Sequence, residues 1–107
     1  MRAKHVMLAA AIALLTPTAH GEAQEIGQPG RGFVLAQRLC AECHAIQKEY
    51  SRSANANAPR FQAIASIPGM TATALSAAFN TSHRAMPNIM LPGDDQADII
   101  AYILSLK

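Results

Sequence analysis

The chain's two cysteines lie three positions apart, and a histidine directly follows the second one. The run is Cys40-Ala41-Glu42-Cys43-His44. The spacing C-x-x-C-H is typical of the covalent attachment of haem c. Two thiols on one turn can each add to a vinyl group of the same haem, and the next residue then lies below the iron as an axial ligand. We therefore predict that Cys40 and Cys43 bind one haem covalently and that His44 ligates its iron.

Three other interpretations of these cysteines are weaker. A thioredoxin-type redox pair needs a strand–helix–strand context, and no segment alternates with period two over the length of a strand. A zinc site needs four ligands. Beyond position 23 the candidates are the two cysteines, His44 and His83, and adjacent Cys43 and His44 are poorly placed for tetrahedral closure. A disulfide between Cys40 and Cys43 would close a tight, strained loop.

Four side chains are candidates for the second axial ligand: Met70, His83, Met86 and Met90. We favour Met86, because Pro87 fixes the backbone directly after it and has no N–H to satisfy. Met86 also precedes Asp94 by eight residues, which leaves room for the loop to return to the last helix. Met90 fits a gap-filling core residue, and His83 fits a loop histidine near the surface.

A proline lies between the motif and the candidate second ligand. Pro59, in the sequence Pro-x-Phe with Phe61, could hold its carbonyl against the Nδ1–H of His44. That contact would fix the ring and make it a better donor to iron. Residue chemistry alone leaves an ordinary loop proline equally open.

Residues 1–23 have the pattern of an export signal. Arg2 and Lys4 precede a ten-residue apolar run at 6–15, and small residues allow cleavage after Gly21 or Ala23. The run is too short for a membrane span, which takes about 20 apolar residues, although an uncleaved anchor is the main alternative. We therefore expect a signal peptide at 1–23, one domain at 24–107 and a periplasmic location.

Composition excludes several classes of protein. Half of the 107 residues are hydrophobic and 15% are charged, so the chain is too short for a multidomain enzyme and too apolar for a disordered tail. A net charge of +2 makes no basic stripe for nucleic acid. Removing the first 23 residues leaves 84, with a charge of about +1. A domain of that size is marginal on its own, so we expect a cofactor to complete its core.

The sequence predicts that the elements which position these residues are helices. Periodicity and breakers predict a first helix from about Gly30 into the haem motif, further helices at about 61–67, 72–80 and 94–107, and a surface loop at 50–59. The first helix places Leu39 and Gly32 on one apolar arc. A glycine inside a helix costs about 1 kcal/mol relative to alanine, so Gly32 needs a reason. Either another helix approaches closely at this point, or the start of the helix is frayed. We expect Thr71 to cap the third helix, and Gly93 or Asp94 the last. Asp98, with Asp94 and Asp95, would complement the dipole of the last helix.

Together these features resemble the class I cytochrome c family in its short bacterial exported form, over essentially all of residues 24–107. The resemblance rests on the C-x-x-C-H motif and on Met86-Pro87 upstream of a C-terminal helix. It implies an all-α fold, in which crossing N- and C-terminal helices, shorter helices and loops surround one covalent haem. It also implies that Gly32 packs against Tyr102 and that the Pro59 carbonyl contacts the haem histidine. Ala36 replaces a phenylalanine of many larger relatives, and the chain has no tryptophan.

The resemblance also implies a function. We expect a periplasmic one-electron carrier, not an enzyme, whose haem iron lies between His44 and Met86. Its partners would be redox donor and acceptor proteins that dock transiently, with no nucleic acid and no stable membrane insertion. An alternative is the haem subunit of a periplasmic dehydrogenase or oxidase complex, which needs a hydrophobic patch such as Phe33, Val34, Ile89 and Met90. An open-site peroxidase or gas sensor would need a vacant sixth position.

Overall fold

The computed structural model describes residues 27–107, and that part of the chain is all-α. Its four helices are α1 (Pro29–Leu39), α2 (Phe61–Ala65), α3 (Ala72–Phe79) and α4 (Gly93–Leu104). The all-α prediction is therefore confirmed. The expected signal peptide and the expected start of the domain at residue 24 lie outside the described residues. No helix within residues 27–107 is both long enough and apolar enough to cross a membrane.

Helices α1 and α4 meet at a glycine. Gly32 is buried, and a Cβ built there would overlap the backbone carbonyl of Asp98 and lie 2.8 Å from the Cβ of Tyr102. On the same side of the junction, the ring of Phe33 packs against Tyr102 at 5.3 Å between centroids. The two backbones are therefore in direct contact, as expected from the glycine, and Gly32 does not mark a frayed helix start.

A buried carboxylate ties the start of α1 to α4. Asp98 is 4% exposed, and its Oδ1 accepts a hydrogen bond from the backbone N–H of Gln28 at 2.6 Å. Arg31 Nε lies 3.3 Å from Oδ2. Asp94 and Asp95 lie in the first turn of α4, whereas Asp98 is its sixth residue and therefore interacts less with the helix dipole. Asp98 instead makes a tertiary contact.

The core is built around α4. Its buried residues are Ile99, Ile100, Tyr102 and Ile103, joined by Ala36 from α1, Phe61 and Ala65 from α2, Leu75 from α3, and Leu106. Leu39, expected on the buried arc of α1, is 40% exposed. It is the last residue of α1, and α4 covers the neighbouring line through Gly32 and Ala36 instead.

The helix ends agree in part with the expected caps. Thr71 Oγ1 accepts a hydrogen bond from the N–H of Ala74 at 3.1 Å, as predicted. The predicted cap of the last helix is wrong: Pro92 occupies the N-cap without a side-chain hydrogen bond, and Gly93 is already helical. Proline there sets the chain direction through its fixed φ rather than through a side-chain acceptor.

Candidate functional site

The C-x-x-C-H motif forms one turn that extends the end of α1. The N–H of Cys40 donates to Ala36 O at 2.8 Å, and the N–H groups of Cys43 and His44 donate to Cys40 O at 3.1 and 2.9 Å. Both thiols are free, so the structure contains no disulfide between them. Cys40 is buried and Cys43 is half-buried. Burial raises the pKa of the Cys40 thiol to about 11, so it is protonated at neutral pH.

The ring of His44 is oriented by a backbone carbonyl. Nδ1 lies 2.6 Å from the carbonyl oxygen of Pro59, which has no proton to give, so the Nδ1–H donates. The other nitrogen, Nε2, therefore carries the lone pair that a metal ion can accept. Phe61 flanks the ring at 5.4 Å between centroids. The structure thus contains the contact that the Pro-x-Phe sequence suggested, and its role toward iron belongs to the proposal below.

Residues 53–61, which we call the strap, are bonded to the motif and to Ala45 directly after it at three further points. The N–H of Asn55 donates to Cys43 O, the N–H of Ala45 to Ser53 Oγ, and the N–H of Phe61 to Ala45 O, each at 3.0 Å. The sequence predicts a surface loop over most of this segment and does not reveal these contacts. No signal could have revealed them, because serine and asparagine are common in loops whether or not they bond to a distant backbone.

The candidates for a second axial ligand differ in exposure. Met86 and Met70 are half-buried, and Met70 packs against the core. Met90 is 94% exposed, so the expectation that it fills a core gap is wrong. His83 is exposed, as expected of a loop histidine, and its Nε2 lies 2.9 Å from the carbonyl oxygen of Ala78. Met86 therefore differs from Met90 in being partly shielded from solvent.

Helix α4 supports the chain just beyond the motif. The hydroxyl of Tyr102 donates to Ile46 O at 2.6 Å. Desolvation, and secondarily the charge of Glu49, raises the pKa of Tyr102. The neutral phenol is therefore the favoured form, and it holds residue 46 and hence the motif against α4.

The donor set suits a haem better than a metal ion alone. No group of three or more His, Cys, Asp or Glu side chains that could hold a metal ion occurs in the part of the chain that the structure describes. The site instead offers two uncrosslinked thiols and one imidazole with a free Nε2, all on a single turn. Those are the groups needed for two thioether bonds and one axial bond.

An all-α domain whose terminal helices cross beside a C-x-x-C-H turn defines a class of haem c protein, and comparisons with known proteins agree. The cytochrome c family model matches residues 30–107. Cytochrome c-552 of Bradyrhizobium diazoefficiens is 35% identical over 78 residues, which cover 73% of this chain and 74% of the relative. No solved structure gives a significant match.

The chain therefore belongs to the cytochrome c family. The cofactor of this domain is covalently bound haem c. Its function is that of a haem c electron carrier that works with redox partner proteins, and members of the family are typically non-catalytic.

Proposed function

We propose that the protein is a periplasmic one-electron carrier whose haem is bound through Cys40 and Cys43, with the iron between His44 Nε2 and the sulfur of Met86. The observation that carries this proposal is the 2.6 Å contact from His44 Nδ1 to Pro59 O. It fixes the tautomer and leaves Nε2 as the ligating atom. The one-turn geometry of the motif supports the two thioether bonds.

The bound haem supplies a one-electron couple, and the chain's side chains adjust it. The carbonyl of Pro59 increases the basicity of His44, which favours ferric iron. The thioether of Met86 favours ferrous iron relative to a second imidazole. With both axial positions filled, the iron has no site for a substrate. Electrons would then pass through an exposed haem edge during brief docking, which typically buries less than about 1,200 Å².

Export is part of the proposal. Residues 1–23 would be removed as a signal peptide, leaving the domain at 24–107. Support comes from the positive and apolar pattern of that segment and from the likeness to a bacterial cytochrome c-552. Thioether bonds also suit a carrier outside the cytoplasm, because reduction does not release the haem.

Mass spectrometry tests the attachment and the processing. The full chain would be expressed in a bacterium with a haem c maturation apparatus, and periplasmic material would be collected. We expect a chain beginning at residue 22 or 24 with the added mass of one haem. Material that reaches the periplasm without that added mass would refute covalent attachment.

The second ligand is tested by a matched pair of variants. We expect Met86→Ala to abolish the near-infrared sulfur-to-iron band of the ferric protein, and to let the ferrous protein bind carbon monoxide quickly. Met90→Ala should leave both properties unchanged, because Met90 is 94% exposed. A band that survives in Met86→Ala would disprove ligation by Met86. Rapid carbon monoxide binding by the unaltered protein would favour an open-site peroxidase or gas sensor.

Two exposed apolar side chains favour a second candidate, the haem subunit of a periplasmic dehydrogenase or oxidase complex. Val34 is 44% exposed and Met90 is nearly fully exposed. The other suggested members of the patch, Phe33 and Ile89, are half-buried, and Phe33 packs on Tyr102. Recovery of a stoichiometric partner from the periplasm at high salt would support the subunit, and recovery of the free monomer would support the carrier.

A further inference from the structure

The peptide group between His44 and Ala45 is held by a side chain. Ala45 is 5% exposed, and its N–H donates to Ser53 Oγ at 3.0 Å. The other three strap contacts to residues 43–45 use only backbone groups of the strap: the N–H of Asn55, the carbonyl of Pro59 and the N–H of Phe61. Among these strap contacts to residues 43–45, Ser53 is therefore the one partner whose bonding group a substitution can remove.

We propose that Ser53 is a positioning residue for the haem histidine, an inference that rests on the proposed function because His44 must be an iron ligand. A buried N–H needs a partner. Without the Ser53 hydroxyl, the His44–Ala45 peptide would tilt toward another acceptor or admit water. The carbonyl end of this peptide belongs to His44. A tilt of the peptide would therefore move the His44 side chain, and its Nδ1–H would lose alignment with Pro59 O.

The chemical consequence appears at the iron. A strong hydrogen bond from Nδ1–H raises the basicity of Nε2 and stabilises ferric iron. Misalignment of His44 with Pro59 weakens that hydrogen bond, so the ferrous state becomes more stable relative to the ferric state. Ser53 thus adjusts the ferric-to-ferrous ratio although its bond is to Ala45 and not to the ring.

Two variants of nearly equal shape isolate the hydroxyl. Ser53→Thr keeps an Oγ acceptor, whereas Ser53→Val places a methyl group there, and both add similar volume. Ser51→Ala is the control, because Ser51 is an exposed serine of the adjoining loop. All three are prepared as the haem-loaded, processed protein. The readouts are the solvent exchange rate of the His44 Nδ1–H by NMR in the ferrous state, and the ferric-to-ferrous ratio at a fixed ambient potential.

We expect Ser53→Val to speed Nδ1–H exchange at least tenfold and to lower the ferric-to-ferrous ratio at least twofold. Ser53→Thr and Ser51→Ala should stay within twofold of the unaltered protein in exchange rate and close to it in ratio. A purely structural role for Ser53 would lower stability without changing either readout. Equal behaviour of the Val and Thr variants, or native behaviour of the Val variant, overturns the proposal.

A measurement on the unaltered protein tests the Ser53 contact even if the Ser53 variants do not fold. The backbone amide of Ala45 should exchange at least a hundredfold more slowly than that of Ala54, an exposed residue of the strap. Equal exchange rates would overturn the Ser53 contact. The near-infrared band of the same sample reports His/Met ligation separately. Its absence would refute the proposed function, whereas fast Ala45 exchange with the band present would refute only the role of Ser53.

Discussion

At the scale of single residues, Tyr102 links the helix junction to the haem motif. Its ring packs on Phe33, and its hydroxyl donates to Ile46 O at 2.6 Å. Desolvation, followed by the charge of Glu49, raises its pKa above the ordinary value of 10.0. Folding therefore holds the phenol proton more tightly than the unfolded chain does. The stability that results is complete below pH 10 and is lost as the pH rises through the folded-state pKa.

This linkage gives a pH-dependent prediction for Tyr102→Phe. We expect the free energy of unfolding of the native protein to fall above about pH 10, and the variant to lose the tyrosine-dependent part of that fall. At neutral pH the variant should be about 1–3 kcal/mol less stable, because Ile46 O loses its donor. Denaturant titrations between pH 7 and 11.5 measure both effects. Tyr50→Phe, at an exposed position, is the control, and equal alkaline slopes in the two variants would contradict the linkage.

Single residues also show how far sequence reasoning reaches. The motif and Pro59 could be singled out because short sequence patterns, C-x-x-C-H and Pro-x-Phe, indicate their chemistry. Burial of Asp98 and exposure of Met90 could not be, since each depends on which distant segments of the folded chain cover that position and which do not. Asp98 bonds to Gln28, 70 positions away. Helical periodicity places Asp98 near the other acidic residues of α4 but does not show what packs against it.

At the scale of elements, the α1–α4 junction depends on the absence of a side chain at Gly32. Gly32→Ala would force its Cβ against the carbonyl of Asp98, so the helices must separate. We expect a loss of about 3 kcal/mol in the free energy of unfolding, at the upper end for overpacking. Gly30→Ala is the matched control, because a Cβ there meets nothing within 4 Å.

The control should gain up to about 1 kcal/mol from alanine's higher helix propensity. Denaturant unfolding of the two ferric haem-loaded variants measures the difference. If Gly32→Ala is as stable as Gly30→Ala, the close contact of α1 with α4 is disproved.

After Gly32, the carboxylate of Asp98 is the second feature that joins α1 to α4. Asp98→Ala leaves the Gln28 N–H without its acceptor and should cost about 1–3 kcal/mol. Asp98→Asn keeps an oxygen acceptor and should cost less. Asp94→Ala, exposed in the first turn of α4, should change stability by only about 0.5 kcal/mol through the helix dipole.

Denaturant unfolding ranks the three aspartate variants. Hydrogen exchange at the first turn of α1 shows whether the loss in Asp98→Ala is local to the contact with Gln28. Equal stability of Asp98→Ala and Asp94→Ala would show that the bond from Gln28 contributes nothing.

The existence and order of the helices were predictable, whereas their ends were less so. All four predicted helices occur, but α1 stops at Leu39, before the motif, α2 at Ala65 and α4 at Leu104. The predicted ends, Ile67 and Lys107, were placed by apolar residues that continue beyond the helices. Leu106 is buried although it is not helical. The apolar pattern at the end of the chain therefore indicates contact with the core and not a continued helix.

At the scale of the whole molecule, charge is nearly balanced. The full chain has nine Lys and Arg against seven Asp and Glu, and Arg31 is paired with Asp95 and Asp98. Long-range attraction or repulsion between such molecules is small. Residues 27–107 contain only two lysines, Lys48 and Lys107.

We therefore expect a weak salt dependence of electron self-exchange between ferric and ferrous copies. The rate should change by less than tenfold between about 10 and 150 mM ionic strength, because little charge needs to be screened. NMR line broadening in mixtures of the two oxidation states measures it. A steeper change would show a concentrated charged face. The double-charge-reversal variant Arg38→Glu/Arg84→Glu, which lowers the charge of residues 24–107 from about +1 to about −3, provides a positive control.

The burial of Cys40 constrains the order of biogenesis. In the folded chain this thiol is 8% exposed, with a pKa of about 11. If Cys40 forms a thioether as proposed, an enzyme could not reach it after α1 has docked on α4. Attachment would then have to occur on an open polypeptide, before the C-terminal segment closes over the junction. A mutation that accelerates closure could therefore lower the yield of mature protein while increasing its thermodynamic stability.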